Sequence, residues 1–509
     1  MNLTGTKNSV LSKAISFDPS YISRIRTGKR SMPETPQFIE PVAAYFSRNI
    51  RTDYQRSILA AELNPEHRFP DTREELQAQL ETWLYETSAS APDAIGGLLN
   101  GFSAANSLAT GASGSFTSDM SPEKLIEAIQ NRTQQLEKDA GQSWFFYGNA
   151  GKRRAVELFL GRLCCREQPF QLLLFSDEEM SWLYEDATFA KRWAALLFRL
   201  LTTGSRIRIP HYTSRGSSEM FEAVQKWIPL YLTGAIEPYY FPRLRDGVYR
   251  RSLFIAEGDS ALISTSIGNE TDGMLNILLD DKQAVAALEK EYAAYLSLCR
   301  PLMQIYRAGR SRDYFQASLR FEKEPGDMVV GGPIPSLFTM PQAALQRLQL
   351  RCTDPAVSEN HARSYAAFRE HMRRGDKVTE ILNLPNPADV RNGKVPIPLC
   401  DFYDSPRLFL SPDELVLHIK NVIRLLKREK NYDIVLSTMI PQNIILSAKE
   451  QYSASLLSAV PPTAAFLIPE PGMTLAFWEY LLRIAELSRV ISKEQTIRQL
   501  ETYIRALEK

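Results

Sequence analysis

Cysteine is scarce and scattered. Cys164, Cys165, Cys299, Cys352 and Cys400 are five in 509 residues, odd in number and without a CxxC pair. That usage excludes a disulfide framework or zinc knuckle and suits a reducing compartment. Histidine is as sparse: His67, His211, His361 and His371 stand in separate segments without ligand-spaced partners, so no metal site is expected. His418, in the apolar helical run Leu415 to Leu426, reads as structural. A net charge of +1 excludes a chain that is cationic throughout, so contact with nucleic acid would need a local concentration of positive charge. No unbroken apolar run approaches the roughly 18 residues of a membrane span, and the N-terminus lacks the basic-then-apolar pattern of a secretory signal. A cytoplasmic protein without membrane contact is expected. There is no Gly-x-Ser-x-Gly elbow and no paired catalytic carboxylates. GNAGKRR, Gly148 to Arg154, is not a Walker A loop, which would need Gly where Phe146 stands and Ser or Thr where Arg153 stands. It predicts an exposed basic start to a helix through Ala155 to Leu163. No catalytic residue and no cofactor are expected.

What is present is enough apolar material, 44% of residues, for real cores in a chain too long for one. The patterning predicts an all-α N-terminal module over 1–63, a flexible linker and connector helix over 64–140, a first α/β lobe over 141–330, and a second related α/β lobe over 331–509 ending in a helix. The linker reading rests on Ser88 to Ser118, rich in Ser, Ala and Gly with Asp93 its one charge, although Leu99 and Phe102 offer docking side chains. Ser121 to Lys138 reads as a connector or dimer helix. Strands are predicted at Gln171 to Phe175, Arg206 to Pro210, Ser252 to Ala256, Ala261 to Ser264 and Leu275 to Leu279. A boundary follows near Glu324 to Pro335. Further strands are predicted at Asp433 to Ser437, Asn443 to Ser447, Ser455 to Ser458 and Ala464 to Ile468. One amphipathic helix running from Phe477 to Leu507 closes the chain. The aromatic run Trp227 to Phe241 reads as core before it reads as a ligand pocket.

The informative segment is SVLSKAISFDPSYISRIRTGKRSMP, Ser9 to Pro33. Ser9 to Ile15 predicts a short helix with Leu11 and Ile15 inward, and Phe17 closes the turn. Asp18 suits an N-cap and Pro19 the first helical position, so a second helix begins there. Ile22 and Ile25 then face the core, leaving Ser20, Tyr21, Ser23, Arg24 and Thr27 on or beside the outward face. Arg24, Arg26, Lys29 and Arg30 are four cations within seven residues, with no acidic residue between Pro19 and Pro33. Arginine donates two hydrogen bonds to a guanine edge, while hydroxyls and lysines suit phosphate oxygens. DPSYISRIRTGKRSMP resembles the turn, recognition helix and following loop of the Cro/C1-type (XRE) helix-turn-helix family. The resemblance covers the first 60 or so residues. It implies binding to double-stranded DNA by helix 19–28, with Ser20, Tyr21, Ser23, Arg24, Arg26, Thr27, Lys29 and Arg30 as contacts. The family carries a further helix ahead of the one at Ser9, where this chain has eight residues.

The body carries a second resemblance. SRIRIPHYTSR, Ser205 to Arg215, followed by RRSLFIAEGDSALISTSIGN, Arg250 to Asn269, is similar to the half-repeat of phospholipase-D-like domains. Active members place a His-x-Lys and then Asp here. This chain has Arg250, Ser252 and Glu257, which implies that phosphodiester chemistry is lost. Together these readings predict a transcriptional regulator with a non-catalytic body, a homodimer on DNA with a small-molecule or protein effector. The alternatives are a DNA-tethered nuclease or phosphotransferase, and a defence or toxin-antitoxin component using the body as a docking platform.

Overall fold

A computed structural model describes the chain except residues 2–3, 5, 27–31, 34, 53–54, 57–58, 60–62, 64–68, 71, 85–94, 97, 100–101, 103–121, 141–143, 167, 179–180, 212–216, 243–247, 269, 353, 404, 406, 461–462 and 490–491. The molecule is mixed α/β, with helices at its N-terminus and two mixed sheets behind them.

The N-terminal helices follow from local chemistry. Asn8–Ile15 ends on Ser16 in the left-handed conformation, and Phe17 turns the chain into Pro19–Arg26. Leu11, Ile15 and Ile22 meet Phe38, Ile39 and Val42 of Pro36–Asn49 in one small core, with Ile25 packed against it. This helical packing runs beyond residue 63. Leu76 and Leu80, in a helix over 73–84, bury against Ala43, Ile50 and Leu59.

The first sheet comprises β1 (Phe145–Tyr147), β2 (Gln171–Ser176), β3 (Arg206–His211), β4 (Ile236–Tyr240), β5 (Tyr249–Ala256), β6 (Ser260–Ile267), β7 (Leu275–Leu279) and β8 (Arg300–Pro301). The second comprises β9 (Gln304–Tyr306), β10 (Met328–Gly332), β11 (Val378–Leu382), β12 (Tyr432–Leu436), β13 (Ile444–Lys449), β14 (Ser453–Ser458) and β15 (Ala465–Ile468). Their orders are β1-β7-β6-β5-β2-β3-β4-β8 and, read from β9, β9-β15-β14-β13-β10-β11-β12. Apart from the edge strand β8, the second order repeats the first. The pairing senses repeat as well: two parallel pairs follow the strand at the centre, and every other pair is antiparallel.

Several expectations are corrected. The boundary expected at Glu324 to Pro335 instead contains β10, a central strand. All of MVVGG is buried, and a side chain at Gly331 would press on Ile440 and Leu481. Close packing, not a turn, explains those glycines. The single closing helix is two, Pro471–Ser488 and Lys493–Leu507, the second started by a Ser492–Gln495 capping box. The expected linker is not free throughout, because Ile95, Leu98, Leu99 and Phe102 are buried, with the Phe102 ring 5.2 Å from that of Phe466. Apart from Gly96, the rest of Ser88 to Ser118 lies outside the described residues. Pro122–Ala140 packs on Gly148–Cys165 of its own chain through ion pairs of Arg132 with Glu157 and Glu137 with Arg162.

The largest core joins the two sheets. It takes Leu172 and Leu174 of β2, Leu446 of β13 and Leu456 of β14, and the faces of Ser217–Tyr231 and Pro471–Ser488. Phe221 and Phe477 meet edge-on at 5.6 Å where those two helices cross.

Candidate functional site

The basic helix is built as its sequence dictates. The Asp18 carboxylate accepts the Ser20 backbone N–H at 2.7 Å and the Ser20 hydroxyl at 2.5 Å. Those hydrogen bonds, the hydroxyl's foremost, hold the Asp18 carboxyl below the ordinary aspartate value. Ile22 is 2% exposed, whereas Arg24 and Arg26 stand on the exposed surface. Arg26 also donates to the Asn8 side chain at 3.2 Å, tying this helix to the one before it. Ser20 is exposed and Ser23 half-buried. Tyr21 is half-buried too, its ring 5.5 Å from that of Phe17 and 6.1 Å from that of Phe38, so most of it serves the core. Thr27, Lys29 and Arg30 lie outside the described residues.

The positions that align with the phospholipase-D-like motif sit on β5. Ser252 pairs with Ser176 at the C-terminal end of β2, and Glu257 stands in the turn joining β5 to β6. Four strand residues, Leu253 to Ala256, separate Ser252 from Glu257, five steps and a rise of roughly 17 Å, so the two do not converge on one reacting group. Around Ser252 is a buried polar cluster that the sequence reading missed. Lys152, read as an exposed basic residue, is fully buried instead. Its ammonium donates to Ser252 Oγ at 2.6 Å and to Glu178 Oε2, and lies over the Trp182 ring at 4.6 Å. Ser252 Oγ also donates to Glu178, Ser176 Oγ lies 2.7 Å from Ser252 Oγ, and Ser266 Oγ donates to Glu178 Oε1 at 3.0 Å. Burial lowers the pKa of Lys152 from the ordinary lysine value, and the Glu178 carboxylate opposes that fall. The cluster is saturated and closed, with Ser252 1% exposed. A local signal existed in hindsight: Lys152 stands in a helix whose run Ala155 to Leu160 is buried on every side.

The repeat carries this comparison into the second sheet. Ala256 pairs with Ser260 across the first hairpin, as Lys449 pairs with Ser453 across the second. Counting back along the strands sets Arg250, Ser252 and Glu257 against Asn443, Ile445 and Glu450. Gly332 and Ile445 then occupy the places of Ser176 and Ser252, and the polar cluster gives way to a largely apolar cavity of about 190 Å³ bordered by both residues. Neither repeat has His-x-Lys at these strand positions; the His-x-Lys of His418 and Lys420 lies instead in the helix Pro412–Arg428. Of the aromatic run, Trp227, Tyr231 and Tyr240 are buried in the core, and His211 Nε2 lies 2.5 Å from the Tyr231 hydroxyl. His418 is buried, its Nε2 3.0 Å from Thr339 Oγ1. Among the described residues, no helix is long and apolar enough to cross a membrane.

The chain matches no protein-family model and no curated protein. Similar solved structures include TrmBL2, an archaeal chromatin protein whose structure is described as showing a novel mode of DNA binding, at 10% identity and a TM-score of 0.23 over 35% of this chain and 65% of that one. This chain thus spans slightly less than two thirds of TrmBL2. Phosphatidylserine synthase of Haemophilus influenzae is similar at 11% identity and a TM-score of 0.20, over 74% of this chain and 97% of that chain. A mutant of the yeast tyrosyl-DNA phosphodiesterase is similar at 10% identity and a TM-score of 0.17, over 60% and 85%. Scores this low leave the residues themselves as the ground for a functional reading.

Proposed function

We propose that this chain is a helix-turn-helix regulator that binds double-stranded DNA through Pro19–Arg26 and the basic residues after it, and that its duplicated α/β body is a phospholipase-D-like scaffold without phosphodiester chemistry. The observation that carries the reading is the polarity of one short helix, with Ile22 turned into the core and Arg24 and Arg26 outward. A cationic rod whose apolar side is anchored from behind suits a major groove, where an arginine paired to a guanine edge contributes about 1 to 3 kcal/mol of discrimination. One such helix contacts few bases, so a dimer reading two half-sites is the arrangement expected to reach useful affinity. The non-catalytic reading is supported by Ser252 and Ile445 where a motif lysine would stand.

Footprinting and mobility shifts on the protein's own upstream DNA test this. Arg24→Ala should weaken specific binding about tenfold or more while sparing non-specific binding. Lys29→Ala should weaken both and shallow the salt dependence. If neither variant alters a footprint, this helix is not the reading element. Cleavage of plasmid or phosphodiester substrates by the purified chain would instead favour a DNA-tethered nuclease.

A further inference from the structure

We propose that the cavity under the second sheet is a binding site for a small primary amine carrying one apolar ring or a branched aliphatic body. As an effector site it rests on the regulator reading. As a binding site it does not.

The cavity lies between β10, β11, β13 and β14 on one side and Ser311–Lys323 and Pro355–Arg374 on the other. Tyr306, Tyr314, Phe315, Val330, Ile334 and Leu457 form much of its wall. Its volume is about 190 Å³. An apolar cavity of about 150 Å³ accepts benzene, so this one takes a single ring with a short arm.

The ligand's polar end is specified by two side chains that the protein satisfies only loosely: Ser364 approaches Glu322 and Asn360 approaches Tyr403 closely enough to lower each pKa, yet neither makes a hydrogen bond of good geometry to Glu322 Oε2 or the Tyr403 hydroxyl. Glu322, on Ser311–Lys323, receives the Ser318 hydroxyl on Oε1 at 3.5 Å, but its buried Oε2 has no hydrogen-bond partner among the described residues. Tyr403, 7% exposed, has a buried hydroxyl in the same condition. Buried polar atoms are nearly always paired, and an acceptor-only carboxylate without a donor is costly. The other carboxylate bordering the cavity is not available, because Glu380 already accepts the Ser336 N–H at 2.7 Å and the Tyr432 hydroxyl at 2.5 Å. The nearby Lys449 ammonium is also engaged, donating to the backbone carbonyls of Glu322 and Glu324. An ammonium supplies three donors and a positive charge, matching Glu322 Oε2 and the Tyr403 oxygen together. Burial pushes Glu322 up to about 7, and an ammonium beside it holds it ionised, whereas an anion would be repelled and a neutral alcohol brings no charge to keep the carboxylate ionised.

Calorimetry on the full chain without DNA provides the test, with 2-phenylethylamine as probe and 2-phenylethanol and 3-phenylpropionate as controls. The amine should bind with a submillimolar Kd and the controls at least about tenfold more weakly, the scale of a hydrogen bond to a charged group. Glu322→Gln and Tyr403→Phe preserve shape, and each should weaken amine binding while the unfolding temperature of the free protein holds or rises. Absent binding of the amine at millimolar concentration overturns the proposal, as does equal binding of alcohol and amine, or unchanged affinity in Glu322→Gln. A mobility shift on DNA with and without the amine separates the two readings. Binding without any shift upholds the site and removes its role as effector, and loss of DNA binding by Arg24→Ala leaves the calorimetry unaffected.

Discussion

A lysine sealed beneath a sheet is tolerable only while its counter-charge and acceptors stay in place. Lys152 has Glu178, Ser252 and the Trp182 face, and each of these partners is more than 25 residues away in sequence. Removing one partner of such a pair costs about 3 to 5 kcal/mol, whereas replacing both by apolar groups of similar volume is often close to neutral. Lys152→Ala is therefore expected to lower the unfolding free energy read from urea titration by that amount at constant slope, and Lys152→Met combined with Glu178→Leu to recover most of it. The same distances explain why the lysine was illegible in the sequence. Arg153 and Arg154 beside it give GNAGKRR the look of a solvated helix start, and nothing local names Glu178. The basic helix is the opposite case. Its cap, first-turn proline and isoleucine spacing are all local, so Asp18, Pro19 and Ile22 stand where the sequence placed them.

Strands were legible where a short apolar run is bounded by turn residues, whether one face is buried or both, as β7 and β2 show. β3, β7 and β15 lie at or next to their expected places. β10 and β11, buried at every position, offer no alternation to read, and the paired glycines of β10 imitate a turn. Helix contacts hold equally sharp constraints. Gly161 of Gly148–Cys165 faces Thr133 of Pro122–Ala140, and a Cβ there would collide with the Thr133 hydroxyl, which is itself bonded to Ile129 O at 2.8 Å. Overpacking of this kind costs about 1 to 3 kcal/mol. Gly161→Ala should destabilise by that much in denaturant unfolding, and adding Thr133→Ala should restore part of the loss. Simple additivity of the two changes would show that the helices do not meet at this point.

Across the whole molecule, the alternation of helix and strand announced an α/β body, but the repeat of strand order rests on registers that no single segment encodes. The pH dependence of stability is also a property of the whole. Burial lowers His211 from 6.5 to about 4 and His418 from 6.5 to about 3. Between those values and 6.5 the unfolded chain binds more protons, so this contribution rises with pH and is complete above 6.5. Burial pushes Glu322 from 4.5 to about 7, so between those values the folded chain binds more protons and stability falls as pH rises. The two trends overlap and partly cancel in the native protein. Thermal unfolding from pH 4 to 8 should separate them: relative to the parent, Glu322→Gln gains stability as pH climbs through 4.5 to 7, and His418→Gln loses it as pH climbs to 6.5. Flat difference profiles would mean that neither group titrates where its burial implies.

Pro471–Ser488 lies against β13 and β14 on one flank and meets Ser217–Tyr231 on the other, with Phe221 on Phe477 at the crossing. A duplicated architecture ordinarily invites the idea that each copy is a spare part, able to be shed or transplanted by recombination. Here that freedom is gone. Deleting the second sheet with its helices would strip the cover from Phe102, Phe221 and their neighbours and leave a greasy flank facing water, so the first sheet with its helices is expected to aggregate when expressed alone.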